Sequence, residues 1–209
     1  MKTKRVPQFR VVCAAIATLL SIPRFVDAAD IPVTSGSFES PDPTAQSGDW
    51  ANLDLAWENG PATGLEYEQN KGDNITADTG SWSAYLTSGP FSQNLNATVA
   101  AGDTLSVSFS GGKASNPHGS SGGGTFTVTF DVGGTDYTST FDTTTNVNTW
   151  ETFSLQKTIT NSGNLSLEFV SLTGNPWIDT VGNVSQVPEP GSVFLLGLSG
   201  LSLLARRQR

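Results

Sequence analysis

Few residues in this chain could perform acid–base or nucleophilic chemistry. There is one histidine, His118, and one cysteine, Cys13. His118 falls in residues 111–124, GGKASNPHGSSGGG, a stretch with no apolar period that reads as a long loop, either a flexible connector or a flap over a groove. A histidine-based triad or a transition-metal site therefore lacks its parts. Glu66 and Glu68 share one face of the short run LEYE and could mimic a glycosidase carboxylate pair. Their alternation with Leu65 and Tyr67 makes a solvated strand face the simpler account. No catalytic residue is assigned, and a hydrolase is the remotest of the functional readings.

Binding has better candidates than catalysis. Flat aromatic rings can stack on the C–H face of a sugar while neighbouring polar side chains bond its hydroxyls. Trp57, Trp82 and Tyr85, in or beside the early loops, are the expected carbohydrate platform. Capping the open end of the fold is the alternative role for the same rings. Trp150 and Trp177 start apolar runs and are expected to be packing residues.

The elements that must position these groups are strands. Apolar residues recur with period two in runs of five to ten residues broken by Gly, Asn, Asp and Pro. Strands are expected over 31–38, 65–69, 82–87, 91–99, 104–110, 125–132, 135–141, 150–159, 165–171 and 177–184, with no helix among them. Gly133-Gly134 can take the positive φ angles of a two-residue hairpin turn. Pairing Val132 with Thr135 then puts Phe130 opposite Tyr137, Val128 opposite Ser139 and Phe126 opposite Phe141 on one core face. Each run has one apolar and one polar side, so two antiparallel sheets packed face to face, a β-sandwich, are expected.

Both ends of the chain differ from this pattern. Lys2, Lys4, Arg5 and Arg10 precede an apolar segment at 11–22 and small residues at Val26-Asp27-Ala28, the order of an export signal peptide cut after Ala28. Cys13 would leave with it. The last residues, 187–209, run VPEPGSVFLLGLSGLSLLARRQR. Pro188 and Pro190 keep the junction extended. The uncharged segment after them would span about 22 Å as a helix, short of a full bilayer crossing. The terminal arginines favour the cytoplasmic side, which places the preceding chain outside the inner membrane.

Val187, Pro188, Glu189 and Pro190, the apolar run, and Arg206 and Arg207 together resemble the PEP-CTERM sorting signal of exported bacterial proteins. The resemblance implies processing by a membrane-embedded exosortase, a temporary membrane anchor through the tail, and delivery to the cell surface or an extracellular polysaccharide matrix. Three segments result: a signal peptide at 1–28, a β-sandwich at 29–186 and the sorting signal with its short transmembrane helix at 187–209.

Between the two signals lie 17 acidic residues and three lysines, a net charge of about −14. Such a surface repels phosphate backbones, which argues against nucleic acid as a partner. It equally disfavours anionic polysaccharide unless a divalent cation intervenes, leaving neutral glycan as the expected polymer. Four Asn-x-Ser/Thr triplets, at Asn74, Asn96, Asn164 and Asn183, are attributed to composition.

The opening VTSGSFESP, the closing NPWIDTVGNV and the middle runs SQNLNATVAAGDTLSVSFSG and TWETFSLQKTI resemble the galactose-binding-like jelly roll of many carbohydrate-binding modules. That resemblance implies a jelly-roll sandwich with a structural calcium joining the first and last strands, held by Glu39, Asp179 and main-chain oxygen around Ser37. The expectation is an exported, non-enzymatic surface or matrix protein whose sandwich binds carbohydrate. A structural or adhesive protein with a protein partner is the alternative.

Overall fold

The structure is a computed structural model that describes residues 28–39, 50–51, 57–59, 65–68, 76–86, 89–114, 123–143, 145–146 and 148–189. The expected signal peptide up to Asp27, His118 and the tail from Pro190 lie outside the described residues. Residues Asp27–Pro188 form one compact unit.

The hairpin formed by β8 (Thr125–Val132) and β9 (Thr135–Asp142) has the register its turn dictates: Val132 pairs with Thr135, Phe130 with Tyr137, Val128 with Ser139 and Phe126 with Phe141. Gly133 and Gly134 sit at φ 58° and 86°, angles that the mirror-image hairpin turn requires and that side-chain-bearing residues disfavour. Phe126, Val128, Phe130 and Val132 are fully buried. Strand β11 (Gly163–Ser171) pairs with β8, and β6 (Pro90–Val99) with β11, through a bulge where Asn96 takes φ 52°. With β3 (Glu58–Asn59) on the far edge, the order of this second sheet is β3-β6-β11-β8-β9.

The other sheet is organised around β7 (Thr104–Gly112). Along one edge β7 pairs with β10 (Trp150–Thr158). Its other edge is shared by two short strands, β12 (Trp177–Asp179) opposite Ser110 to Gly112 and β13 (Val184–Val187) opposite Thr104 to Ser106. The continuous strand expected over 177–184 is thus broken: Thr180 takes φ 50°, the chain leaves the ladder, and it rejoins four residues later. Beyond β12 come β5 (Trp82–Tyr85), β4 (Leu65–Glu68) and β2 (Trp50–Ala51), and beyond β13 comes β1 (Ala29–Ile31). The strand expected over 31–38 shrinks to β1, because Ser35 and Phe38 turn the chain with φ 53° and 59° and drive the Phe38 ring into the core. Val187, assigned to the tail from sequence, is the last rung of β13 and pairs with Thr104.

Side chains of both sheets share one core. Leu105, Val107, Phe109, Leu155, Ile178, Ala84 and Trp82 from the first sheet meet Phe91, Phe126, Val128, Phe130, Leu165, Leu167 and Phe169 from the second. Each such side chain taken fully out of water contributes about 1.5–3 kcal/mol, so this interface is what holds an all-β domain without disulfides. Phe109 is its hub, with edge-on contacts to Phe126, Phe141 and Phe169 at centroid distances of 5.1–6.0 Å.

Candidate functional site

Strand parity sorts the aromatic residues. In β5, Trp82 and Ala84 belong to the main core, so Ser83 and Tyr85 point the other way. Trp82 and Tyr85 are three residues apart and cannot share a face of one strand. Trp57 is 2 % exposed and lies flat on Phe91, with ring centroids 4.6 Å apart and planes 6° from parallel. Its indole N–H donates to the Ser35 carbonyl at 3.3 Å. The expected platform of Trp57, Trp82 and Tyr85 is therefore corrected: two of the rings are core packing, and only Tyr85 is on the outer side of a sheet.

That outer side carries a second aromatic cluster, made largely of residues expected to be simple packing. Trp150, Gly112, Trp177, Tyr85 and Leu65 are successive register partners across β10, β7, β12, β5 and β4. Gly112 puts no side chain between the two tryptophans. Tyr85 and Trp177 contact each other at 5.0 Å between centroids, with Ala114 and half-buried Trp150 completing a cluster separate from the main core. One register step along lie Thr152, Ser110 and Asp179, again directly opposite one another. Across β5, β4 and β2 the register continues through Ser83, Tyr67 and Trp50. In these two rows Trp177, Tyr85, Ser110 and Asp179 are buried, Trp150 is half-buried and Thr152 is exposed.

Asp179 is the chemical centre of the polar row, and its residue is 0 % exposed. Its Oδ2 accepts the amide N–H groups of Asp78 and Thr79 at 2.8 and 3.1 Å, and its Oδ1 accepts that of Thr180 at 2.6 Å. Burial pushes its carboxyl up to about 7; the three amide donors pull it back only in part, and the neighbouring Asp78 charge pushes it further up. Asp78 in turn accepts the Ser110 hydroxyl at 2.5 Å and the Thr180 hydroxyl at 3.2 Å. Residues 76–81 thus form a strap over the polar row. At one end the Trp150 indole N–H donates to the Thr76 carbonyl at 2.6 Å. At the other, Glu39 Oε1 accepts the amides of Ser81 and Trp82, both at 2.7 Å.

Glu39 and Asp179, the expected calcium ligands, both accept amides of this one short segment, Asp179 at its middle and Glu39 at its end. Two N–H groups already occupy Glu39 Oε1 and two occupy Asp179 Oδ2, so an ion there would draw on the remaining oxygens. Ser37 lies in the turn between the positive-φ residues Ser35 and Phe38. Among the described residues, no group of three or more His, Cys, Asp or Glu side chains is arranged to hold a metal. Glu66 and Glu68 take register positions opposite Ala84 and Trp82. Sequence reasoning missed the strap altogether; Asp78 and Gly80 in ADTGS carried a turn signal, but nothing in the sequence linked them to Asp179.

Comparison with known proteins adds a destination. The PEP-CTERM protein-sorting motif matches residues 186–209, the tag of an exported, surface-associated protein. No curated protein matches the chain. Among solved structures, the chain is similar to the tandem CBM22-1-CBM22-2 domain from Paenibacillus barcinonensis Xyn10C, at 14 % identity and a TM-score of 0.49 over 67 % of this chain and 43 % of that one. It therefore spans under half the length of the tandem. The CBM22-1 xylan-binding domain of the same enzyme matches at 15 % identity and TM-score 0.45, over 64 % of this chain and 86 % of that one. A CBM4 structure matches at 16 % and 0.41, over 73 % and 99 %. Likenesses this distant assign neither a family nor a ligand.

Proposed function

We propose that this exported protein is a non-catalytic surface or matrix component that holds neutral glycan on the outer face of the β7-centred sheet. The observation that carries the reading is the register row Trp150, Gly112, Trp177 and Tyr85, which lies outside the main core and beside the hydroxyls of Ser110 and Thr152. Trp177 and Tyr85 pack there as buried neighbours, and half-buried Trp150 at the end of the row offers an apolar face on which a sugar ring can stack beside the exposed Thr152 hydroxyl. The net charge of about −14 between the end segments favours an uncharged polymer. Affinity electrophoresis through gels containing xylan or hydroxyethyl cellulose tests it. Trp150→Ala should lower retention at least tenfold at unchanged folding; equal mobility of wild type and variant in every polymer removes the reading and favours the adhesive role with a protein partner.

Two finer readings accompany it. The antiparallel pairing of β1 with β13, which brings the two ends of the domain together, supports a jelly roll of the galactose-binding-like kind. The sorting motif begins within β13, at Gln186 and Val187, and an exosortase-type enzyme is its processing partner in this reading. Calcium at Glu39 and Asp179, with main-chain oxygen near Ser37, is a separate proposal: excess calcium should raise the melting midpoint by several degrees over EDTA, and an unchanged midpoint leaves the amide clamp as the whole role of these carboxylates.

A further inference from the structure

We infer that residues 76–81 are a displaceable strap, occupying in the free protein the polar row that a glycan takes on binding. The inference rests on the reading of this face as the binding face and adds how access to it is controlled. The strap presents to the sheet what a carbohydrate would present. The Thr76 carbonyl accepts the Trp150 indole N–H at 2.6 Å, the Asp78 carboxylate accepts the Ser110 hydroxyl at 2.5 Å, and the amides of Asp78 and Thr79 reach Asp179 Oδ2. The Trp150 indole N–H, the Ser110 hydroxyl and Asp179 Oδ2, three groups a sugar hydroxyl could use, are thus matched by chain.

The strap is held by polar contacts and not by packing. Thr76, Asp78, Thr79, Gly80 and Ser81 are exposed, and Ala77 is half-buried, so lifting the segment gives up little apolar burial. The bonds it loses are exchanged for bonds to ligand and water, and individual exchanges of that kind are close to neutral. Buried Asp179 is the group whose environment changes most when the strap lifts. Facing it are uncharged Ser110 and Thr180 and one charged residue, Asp78, on the strap itself. Opening returns water to Asp179 and separates it from Asp78.

Gly80 gives a way to loosen the strap without touching the sheet. It sits at φ 71°, and a Cβ there would fall inside the contact radius of the Glu39 carboxylate that holds Ser81 and Trp82. In the full-length chain, Gly80→Ala should raise amide hydrogen exchange in the peptide covering 76–82 at least fivefold, with the β8–β9 hairpin unchanged. Retention by xylan or hydroxyethyl cellulose should rise at least threefold. Should Gly80→Ala not fold, Asp78→Ala removes the strap's bonds to Ser110 and Thr180 and gives the same two readouts. Unchanged exchange, or raised exchange with unchanged retention while Trp150→Ala still abolishes it, overturns the strap and leaves the binding face standing. Absence of retention in wild type and all variants overturns both.

Discussion

Each sheet turns one side away from the shared core, and the two sides are built differently. The β8-centred sheet carries a lattice of short polar side chains: Thr138 and Thr140 on β9 are exposed, Thr127 lies opposite Thr140, and buried Thr129 bonds Thr138 hydroxyl to hydroxyl at 2.9 Å. Glu168 in this lattice has its carboxyl raised by partial burial and then by the charges of Asp136 and Asp131. The β7-centred sheet carries Trp150, Trp177 and Tyr85 on its corresponding side, with Trp177 0 % and Tyr85 8 % exposed. One side is an ordinary solvated sheet face; the other is a second, smaller aromatic cluster with a strap of chain beside it. The difference teaches that an outward parity does not mean a solvated residue: one side is largely wetted polar side chains, the other a packed aromatic cluster whose half-buried member is Trp150.

The sharpest way to break this contrast is Trp177→Ala. Its ring is fully buried although it points away from the main core, so truncation should cost about 3–5 kcal/mol in urea unfolding. A loss under about 1 kcal/mol would mean that the outer cluster is not packed as described. Next in size is the pH response. The Asp179 carboxyl is raised in the folded state, so the stability linked to its protonation is present in full below about pH 4 and lost as pH rises through about 7. The wild-type melting midpoint should therefore fall by several degrees between pH 5 and pH 8 relative to Asp179→Asn, whose own slope lacks this contribution. Parallel slopes would place Asp179 in water. The smallest expected effect is on the other sheet: Thr140→Ala should change stability by less than about 0.5 kcal/mol and leave glycan retention untouched. Retention lost in that variant would transfer the binding face to the wrong sheet.

The legible parts of the fold share a cause. The β8–β9 register followed from the Gly133-Gly134 turn because a two-residue hairpin leaves one pairing, and the alternation of Phe126, Val128 and Phe130 leaves one inward face. Strands β2 and β3, two residues each, carry too few positions for any period to show. The break between β12 and β13 was hidden because Asp179 and Thr180 look like strand residues; what turns the chain is a carboxylate bonded to amides about a hundred residues away. Glu39 was expected as a calcium ligand joining the first and last strands; in the structure its partners are the amides of Ser81 and Trp82, which composition does not single out.

By itself the amino-acid order determined the all-β class, the hairpin register, the acidic charge and the sorting motif at the end of the chain. These are local or additive properties, set by side-chain period, turn geometry and charge sums. Tertiary structure alone decided which aromatic rings meet in the core and which line the outer face. That choice depends on strand parity relative to partners far away in sequence, since Trp177 and Tyr85 become neighbours only when β12 lies beside β5. It also decided that Asp179 is buried beneath a strap, because desolvation belongs to the assembled surroundings and not to the residue.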